Sequence, residues 1–363
     1  MARLSELPAA VPRPTAPLAF LGAFAIVFGL TLRHLAFNFI NPGDFYAQLA
    51  HLDTPALYRD IGVAPGAWPE NEAGRIFGSL VFFFRDMLRL PRADGLILIL
   101  ASVFAPLITF QTLESLKQGR HALLHPALFA LSAALGQVIL IGAASNILWV
   151  PVYAYTRWQE TSKKTVDIHP LPSPARWAVH TGTTTTLLTA LTFLPMLLPS
   201  TGPDSGNFLL PNVVFQAYPL LYVILFFLPL SRQSDKPRAA AADSYRLLSV
   251  LLIAPWWAGV YKYGPVVLAA WRRGGFTHDG YHVLTLDMIG GMVAAYLMVL
   301  IDSYADEARV KATGERVHHR RFFFEEIFGL MGLLTLGPGA AFALYFRRRE
   351  HLAERARLGL KDE

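Results

Sequence analysis

The stretch that decides the fold class is Leu96–Leu116, LILILASVFAPLITFQTLESL, whose first ionisable side chain is Glu114. A bilayer core takes about 20 consecutive apolar residues as a helix, and this run supplies them. Seven further runs of comparable character are spaced along the chain. They cover 17–40, 124–155, 177–198, 208–230, 245–271, 281–303 and 322–346. The run at 124–155 is too long for one straight span and is expected to tilt or to end near Pro151. The expectation is an all-α fold: a polytopic integral membrane helical bundle of about eight transmembrane helices, forming a single domain over 1–363.

The composition agrees. Of 363 residues, 53% are hydrophobic and 16% charged, and mean hydropathy is +0.38. Soluble domains carry about 25% charged residues. The excess apolar surface therefore has to face lipid. Net charge is +6, but Lys and Arg fall mostly between apolar runs and in the tail, where membrane topology accounts for them without nucleic acid. The loops after the first, third, fifth and seventh spans are placed in the cytoplasm, although the basic tail 347–363 pulls the other way. There is no cysteine, which excludes disulfides, thiolate nucleophiles and Cys-ligated metals.

The longest connection is 41–94. Within it, 76–90 carries Phe77, Leu80, Phe84 and Leu88 at helical spacing, with Arg85, Asp86 and Arg89 on another face. That pattern predicts an amphipathic helix along the interface, the competing account being a membrane-distal loop packed on the bundle.

Ionisable groups within spans are costly and mark where function is sought. Lys262 lies in Ala254–Pro265, between Pro255 and Pro265 and among Trp256, Trp257, Tyr261 and Tyr263. These residues form a candidate substrate-pocket wall, with aromatic faces for a cation and Lys262 paired to a carboxylate. A Lys that snorkels to an interface belt is the competing account. The candidate acids are Glu114, Asp287, Asp302, Glu325 and Asp44. Glu114 shares a helix face with Gln111 and could pair with Lys117. Asp287 and Asp302 stand about 22 Å apart along one helix. Glu325 begins a helix, where the dipole favours an acid, and Asp44 sits in an Asn-Pro-Gly-Asp turn. Gln137, Asn146 and the threonines of 181–186 read as polar glue between helices.

No P-loop, Gly-x-Ser-x-Gly elbow or pair of Asp-rich motifs is present. The His pair at 318–319 has basic neighbours, which disfavours a cation. No metal or cofactor is expected.

Size, the eight-span layout, Leu32–Asp44 (LRHLAFNFINPGD), Ala254–Pro265 and the segments Leu286-Asp-Met-Ile-Gly290 and Leu300-Ile-Asp302 resemble the fungal membrane-bound terpene cyclases of meroterpenoid pathways, in particular the ascofuranone-type cyclase group. The resemblance spans most of the chain. It implies a lipophilic substrate, a farnesyl chain on an aromatic polyketide, often with a terminal epoxide, in the endoplasmic reticulum membrane. A carboxylic acid protonates the epoxide or an alkene, and the carbocation cyclises without metal or redox cofactor. A buried carboxyl keeps its proton because desolvation disfavours the charge, and aromatic faces stabilise a cation without attacking it. Transport of a small hydrophobic or anionic solute, with Lys262 at a broken helix, is the alternative. A non-enzymatic scaffold is the third reading.

Overall fold

The computed structural model describes residues 15–38, 52–116, 122–161, 194–217, 219–220, 237–313, 332 and 335–357. Regular structure among them is helical throughout, with no strand. The helices are α1 (Thr15–Asn38), α2 (Thr54–Ile61), α3 (Glu72–Leu88), α4 (Ala93–Leu116), α5 (Pro126–Ile139), α6 (Ile141–Ala144), α7 (Val150–Thr161), α8 (Leu209–Gln216), α9 (Pro237–Leu251), α10 (Ile253–Arg273), α11 (Asp279–Thr313) and α12 (Pro338–Arg357).

Among the described residues, three helices are long and apolar enough to cross a membrane: α1 over Ala16–Phe37, α4 over Ala93–Ser115 and α11 over Asp279–Ala305. They correspond to the first, second and seventh predicted spans. Eight such helices are not found among the described residues. Most of 177–198, and nearly half of each of 208–230 and 322–346, lies outside them. On α1, Phe20, Val27 and Leu30 are more than half exposed. An apolar face of that kind is compatible with a membrane environment.

The central helix is α4. It packs against α10, α11 and α12, and α1, α6 and α7 also pack on α11. Glycines set the closest crossings. A Cβ on Gly95 of α4 would lie 2.6 Å from Lys262 Cβ, and one on Gly259 of α10 would lie 2.7 Å from the Gly95 carbonyl. Small residues of this type let two backbones approach where lipid supplies no hydrophobic drive.

Two predicted spans are corrected. The run 124–155 is divided at Leu140, eleven residues before Pro151. Beyond the division α6 passes through a π turn, Ser145–Trp149, into α7, and Pro151 sits inside α7 without ending it. The run 245–271 is interrupted at Leu252, which separates α9 from α10. Pro255 has no N–H to bond back to Leu251, so the regular ladder lapses there. Pro265 lies inside α10 and does not break it.

The predicted amphipathic helix is α3. Asn71 caps it by accepting the Gly74 N–H at 2.9 Å. It buries Gly78, Val81, Phe82, Phe83, Phe84 and Met87 and packs on α2, α8 and α11. Of the predicted stripe, Phe84 is buried and Phe77, Leu80 and Leu88 are half-buried. Residues 347–357, read as the start of a polar tail, continue α12.

Candidate functional site

The chain break at Leu140 builds the site. Leu140 has φ 79° and ψ 138°, a backbone conformation that costs an L-residue about 1–3 kcal/mol. It ends α5 and lets a new helix begin at Ile141, whose first turn has N–H groups without helical partners. Asp287 of α11 meets them: its Oδ1 accepts the Gly142 N–H at 2.6 Å. This contact needs glycine. A Cβ on Gly142 would fall 2.4 Å from the Asp287 carbonyl oxygen and 2.6 Å from the Gly291 nitrogen. Asn146 closes the crossing by donating its Nδ2 to the carbonyls of Gly142 at 2.7 Å and Gly290 at 2.8 Å.

Asp287 is 5% exposed and forms part of the wall of a cavity of about 330 Å³. That volume lies at the lower end of the range for small-molecule sites. The wall comes from the end of α1 and from α3, α4, α5, α6, α8 and α11. It is aromatic and aliphatic over most of its area, with Phe37, Phe83, Phe84, Phe104 and Phe215 among Leu80, Leu100, Ile108 and Leu284. Phe84 and Phe215 meet edge to face at 5.0 Å between centroids. Polar groups are few: Asp287, Gln137, and the side chains of Glu72, Arg75 and Ser79 from α3. No ion pair to Asp287 occurs among the described residues.

A second polar constellation lies about four turns along α11 from Asp287. Glu114 of α4 and Asp302 of α11 are both fully buried, and Arg349 of α12 bridges them. Its Nη2 pairs with Glu114 and, at 2.6 Å, with Glu350; its Nη1 meets Asp302 at 3.1 Å. Arg157 of α7 approaches the same Asp302 oxygen at 3.1 Å, and the Tyr153 hydroxyl donates to it at 2.7 Å. The Arg349 guanidinium lies 4.6 Å from the Phe346 ring centroid and 5.4 Å from that of Phe110. Five helices' worth of side chains, counting the buried Tyr245 of α9 against Phe346, converge here.

The sequence candidates thus separate. Asp287 lies on the cavity wall, while Glu114 and Asp302 join one ion network. Glu325 and Asp44 lie outside the described residues. The aromatic stretch does not reach the cavity. Tyr261 is 84% exposed, and Trp257 donates its Nε1 to the Thr335 carbonyl at 2.9 Å. Trp256 packs against Gly337, and the Tyr263 hydroxyl shares a hydrogen bond of 2.7 Å with Thr285. Lys262 is half-exposed and pairs with Asp94 in the first turn of α4. Arg349, Arg157 and Tyr153 escaped the sequence reading. Arg349 sits in an Arg-Arg-Arg-Glu run that looks like a solvated face. Among the described residues, no group of three or more His, Asp or Glu is arranged to hold a metal ion.

Compared with known protein families, with curated proteins and with solved structures, the chain matches none.

Proposed function

We propose that the protein is a membrane-bound terpene cyclase with about eight spans, resident in the endoplasmic reticulum, and that Asp287 is its acid. One observation carries this reading: a buried carboxyl without an ion-pair partner among the described residues stands on the wall of an otherwise aromatic and aliphatic cavity. Glu114 and Asp302 are paired with guanidinium groups in a separate ion network and are not among the residues of the cavity wall. The sequence resemblance to meroterpenoid cyclases points the same way.

In the proposed reaction the Asp287 carboxyl donates its proton to a terminal epoxide oxygen, or to an alkene, of a farnesylated aromatic substrate. The C–O bond breaks with its electron pair staying on the oxygen, which becomes a hydroxyl, and leaves a cation on carbon, or the protonated alkene becomes a tertiary cation. Alkene π electrons attack the cation and close the ring. Loss of a proton, or capture by an internal oxygen with loss of its proton, restores neutrality, so product and substrate have the same mass. The Gly142 N–H at the helix start donates to the carboxylate left behind, which lowers the cost of proton donation. Phenylalanine rings face the cation without offering it a nucleophile, and a dry cavity delays capture by water.

The test is incubation of microsomes carrying the protein with farnesylated phenols and their terminal epoxides, without added metal or nucleotide. A new peak of unchanged mass in chromatography–mass spectrometry, absent from empty-vector microsomes, is expected. Intact protein that yields no isomer from any of them sinks the proposal.

Solute transport is the second reading, and the broken helix at Leu140 favours it, since interrupted helices beside a buried carboxylate are common transport sites. Uptake of a hydrophobic or anionic solute into vesicles, lost on Asp287→Asn while no product forms, would favour it over the cyclase.

A further inference from the structure

The last turns of α10 carry cations and an indole that the fold does not use. Gly259 of α10 lies against Ile99, while Lys262 lies against Gly95 and pairs with Asp94. α10 therefore climbs toward the start of α4, whose membrane-length stretch begins at Ala93. The Tyr263 hydroxyl meets Thr285, near the start of the second such stretch, at Asp279 of α11. Beyond that contact α10 continues to Arg273, about 15 Å farther at the helical rise, and Phe276 brings the chain back onto Tyr281. Trp271, Arg272 and Arg273 thus stand at the end of the bundle where two membrane-length stretches begin, which is the level of lipid headgroups.

The described residues leave this tip uncovered. Tyr261 is 84%, Leu268 51% and Trp271 85% exposed, and Arg272 follows Leu268 and Trp271 on one face at helical spacing. A Cβ on Gly264, Gly274 or Gly275 would meet nothing within 4 Å. Arg272 and Arg273 are exposed and enter no ion pair among the described residues. Their side chains do not cap the helix either, because the Gly274 and Gly275 N–H groups bond to the carbonyls of Trp271 and Ala270 at 3.3 and 2.9 Å. An exposed indole beside two uncommitted guanidinium groups suits a partner with an apolar part and an anionic part. Indole rings favour the membrane–water interface, and guanidinium groups bind phosphate oxygens in pairs. The sequence from 263 to 278 holds no Asp or Glu, so a second copy packed on the same face about a two-fold axis would bring cations to cations.

We propose that the Trp271–Arg273 end of α10 docks the headgroup of an anionic phospholipid, with the guanidinium groups on its phosphate and Trp271 and Leu268 against the upper part of its chains. None of these residues lines the cavity, and the site stands whether or not the protein is a cyclase.

The experiment reconstitutes the full chain into phosphatidylcholine vesicles that contain, in parallel series, phosphatidylglycerol or phosphatidylcholine brominated near the headgroup. The protein has seven tryptophans, so the Trp271 signal is the fluorescence of the parent minus that of Trp271→Phe. Brominated phosphatidylglycerol is expected to half-quench this signal at about one-tenth of the mole fraction that brominated phosphatidylcholine requires, the scale of preference that two basic residues give at a membrane surface. With Arg272→Gln and Arg273→Gln together, the two lipids are expected to quench within about twofold of each other. Both side chains are exposed, so the double variant should keep the parent's melting temperature, which separates lost preference from misfolding. Absence of quenching by either lipid overturns the proposal, because Trp271 is then in water or beneath another protein chain. Equal quenching by the two lipids in the parent, or a preference that survives the double variant, overturns it as well. So does relief of quenching by inorganic phosphate beyond that given by sodium chloride at the same ionic strength, which would make the site one for a free anion.

Discussion

The Asp287 carboxylate accepts the Gly142 N–H at 2.6 Å across 145 positions of the chain. A side chain from one helix thereby caps the start of another and also stands on a cavity wall. Substitution separates the two roles. Asp287→Asn keeps an oxygen for the Gly142 N–H and removes the acid of the proposed cyclase reaction, so on that proposal product formation should vanish while the melting temperature in detergent stays within a few degrees. Asp287→Ala removes both, and should in addition lose about 0.5–2 kcal/mol of stability, the usual cost of a missing cap. Full activity in Asp287→Asn would remove the residue from the mechanism.

The Arg349 network makes a different forecast. Arg349→Met leaves Glu114, Asp302 and Glu350 without this shared cation, and breaking a buried pair from one side costs about 3–5 kcal/mol. The monodisperse fraction after solubilisation should fall. Combining Arg349→Met with Glu114→Gln should recover part of that loss, because one of the stranded charges is gone. A double variant no better than the single one would argue against the bridge.

At Gly142, an added methyl group meets backbone rather than a movable side chain. Gly142→Ala is expected to cost about 1–3 kcal/mol through overpacking and to reduce turnover by displacing Asp287. Gly206→Ala, where a Cβ meets nothing within 4 Å, serves as the control and should change stability by less than about 0.5 kcal/mol. Melting curves of the two variants side by side decide the point.

The absence of cysteine gives a clean background for labelling. Phe24→Cys on α1 and Tyr296→Cys on α11 replace outward-facing residues of two membrane-length helices. Both should resist a membrane-impermeant maleimide in sealed vesicles and react once detergent is added. Ala67→Cys, in the exposed turn between α2 and α3, should react from one side only. Prompt labelling of Phe24→Cys in sealed vesicles would strike α1 from the set of spans.

Long apolar runs made the helical class and three membrane-length helices readable, because length and composition alone specify them. The periodicity of 76–90 likewise gave α3, though not what covers it. The break at Leu140 left no such mark. No glycine or proline stands there, and its partners, Asp287 and Gly290, are nearly 150 residues away. The acids fared similarly. Glu114, Asp287 and Asp302 were recognisable as charges in costly places, but their sorting into a cavity acid and an ion network depends on Arg349. Nothing local distinguishes that arginine from its two neighbours. Lys262 was expected to have a carboxylate partner, and it has one in Asp94, 168 positions earlier.

Glu114 and Arg349 are separated by 235 positions, and a ribosome adding 5–20 residues per second needs roughly 10–50 s to pass from one to the other. The central helix is thus synthesised long before the cation that clasps its acid exists. The clasp therefore closes last: a nascent chain stopped short of α12 lacks the guanidinium that joins Glu114 to Asp302.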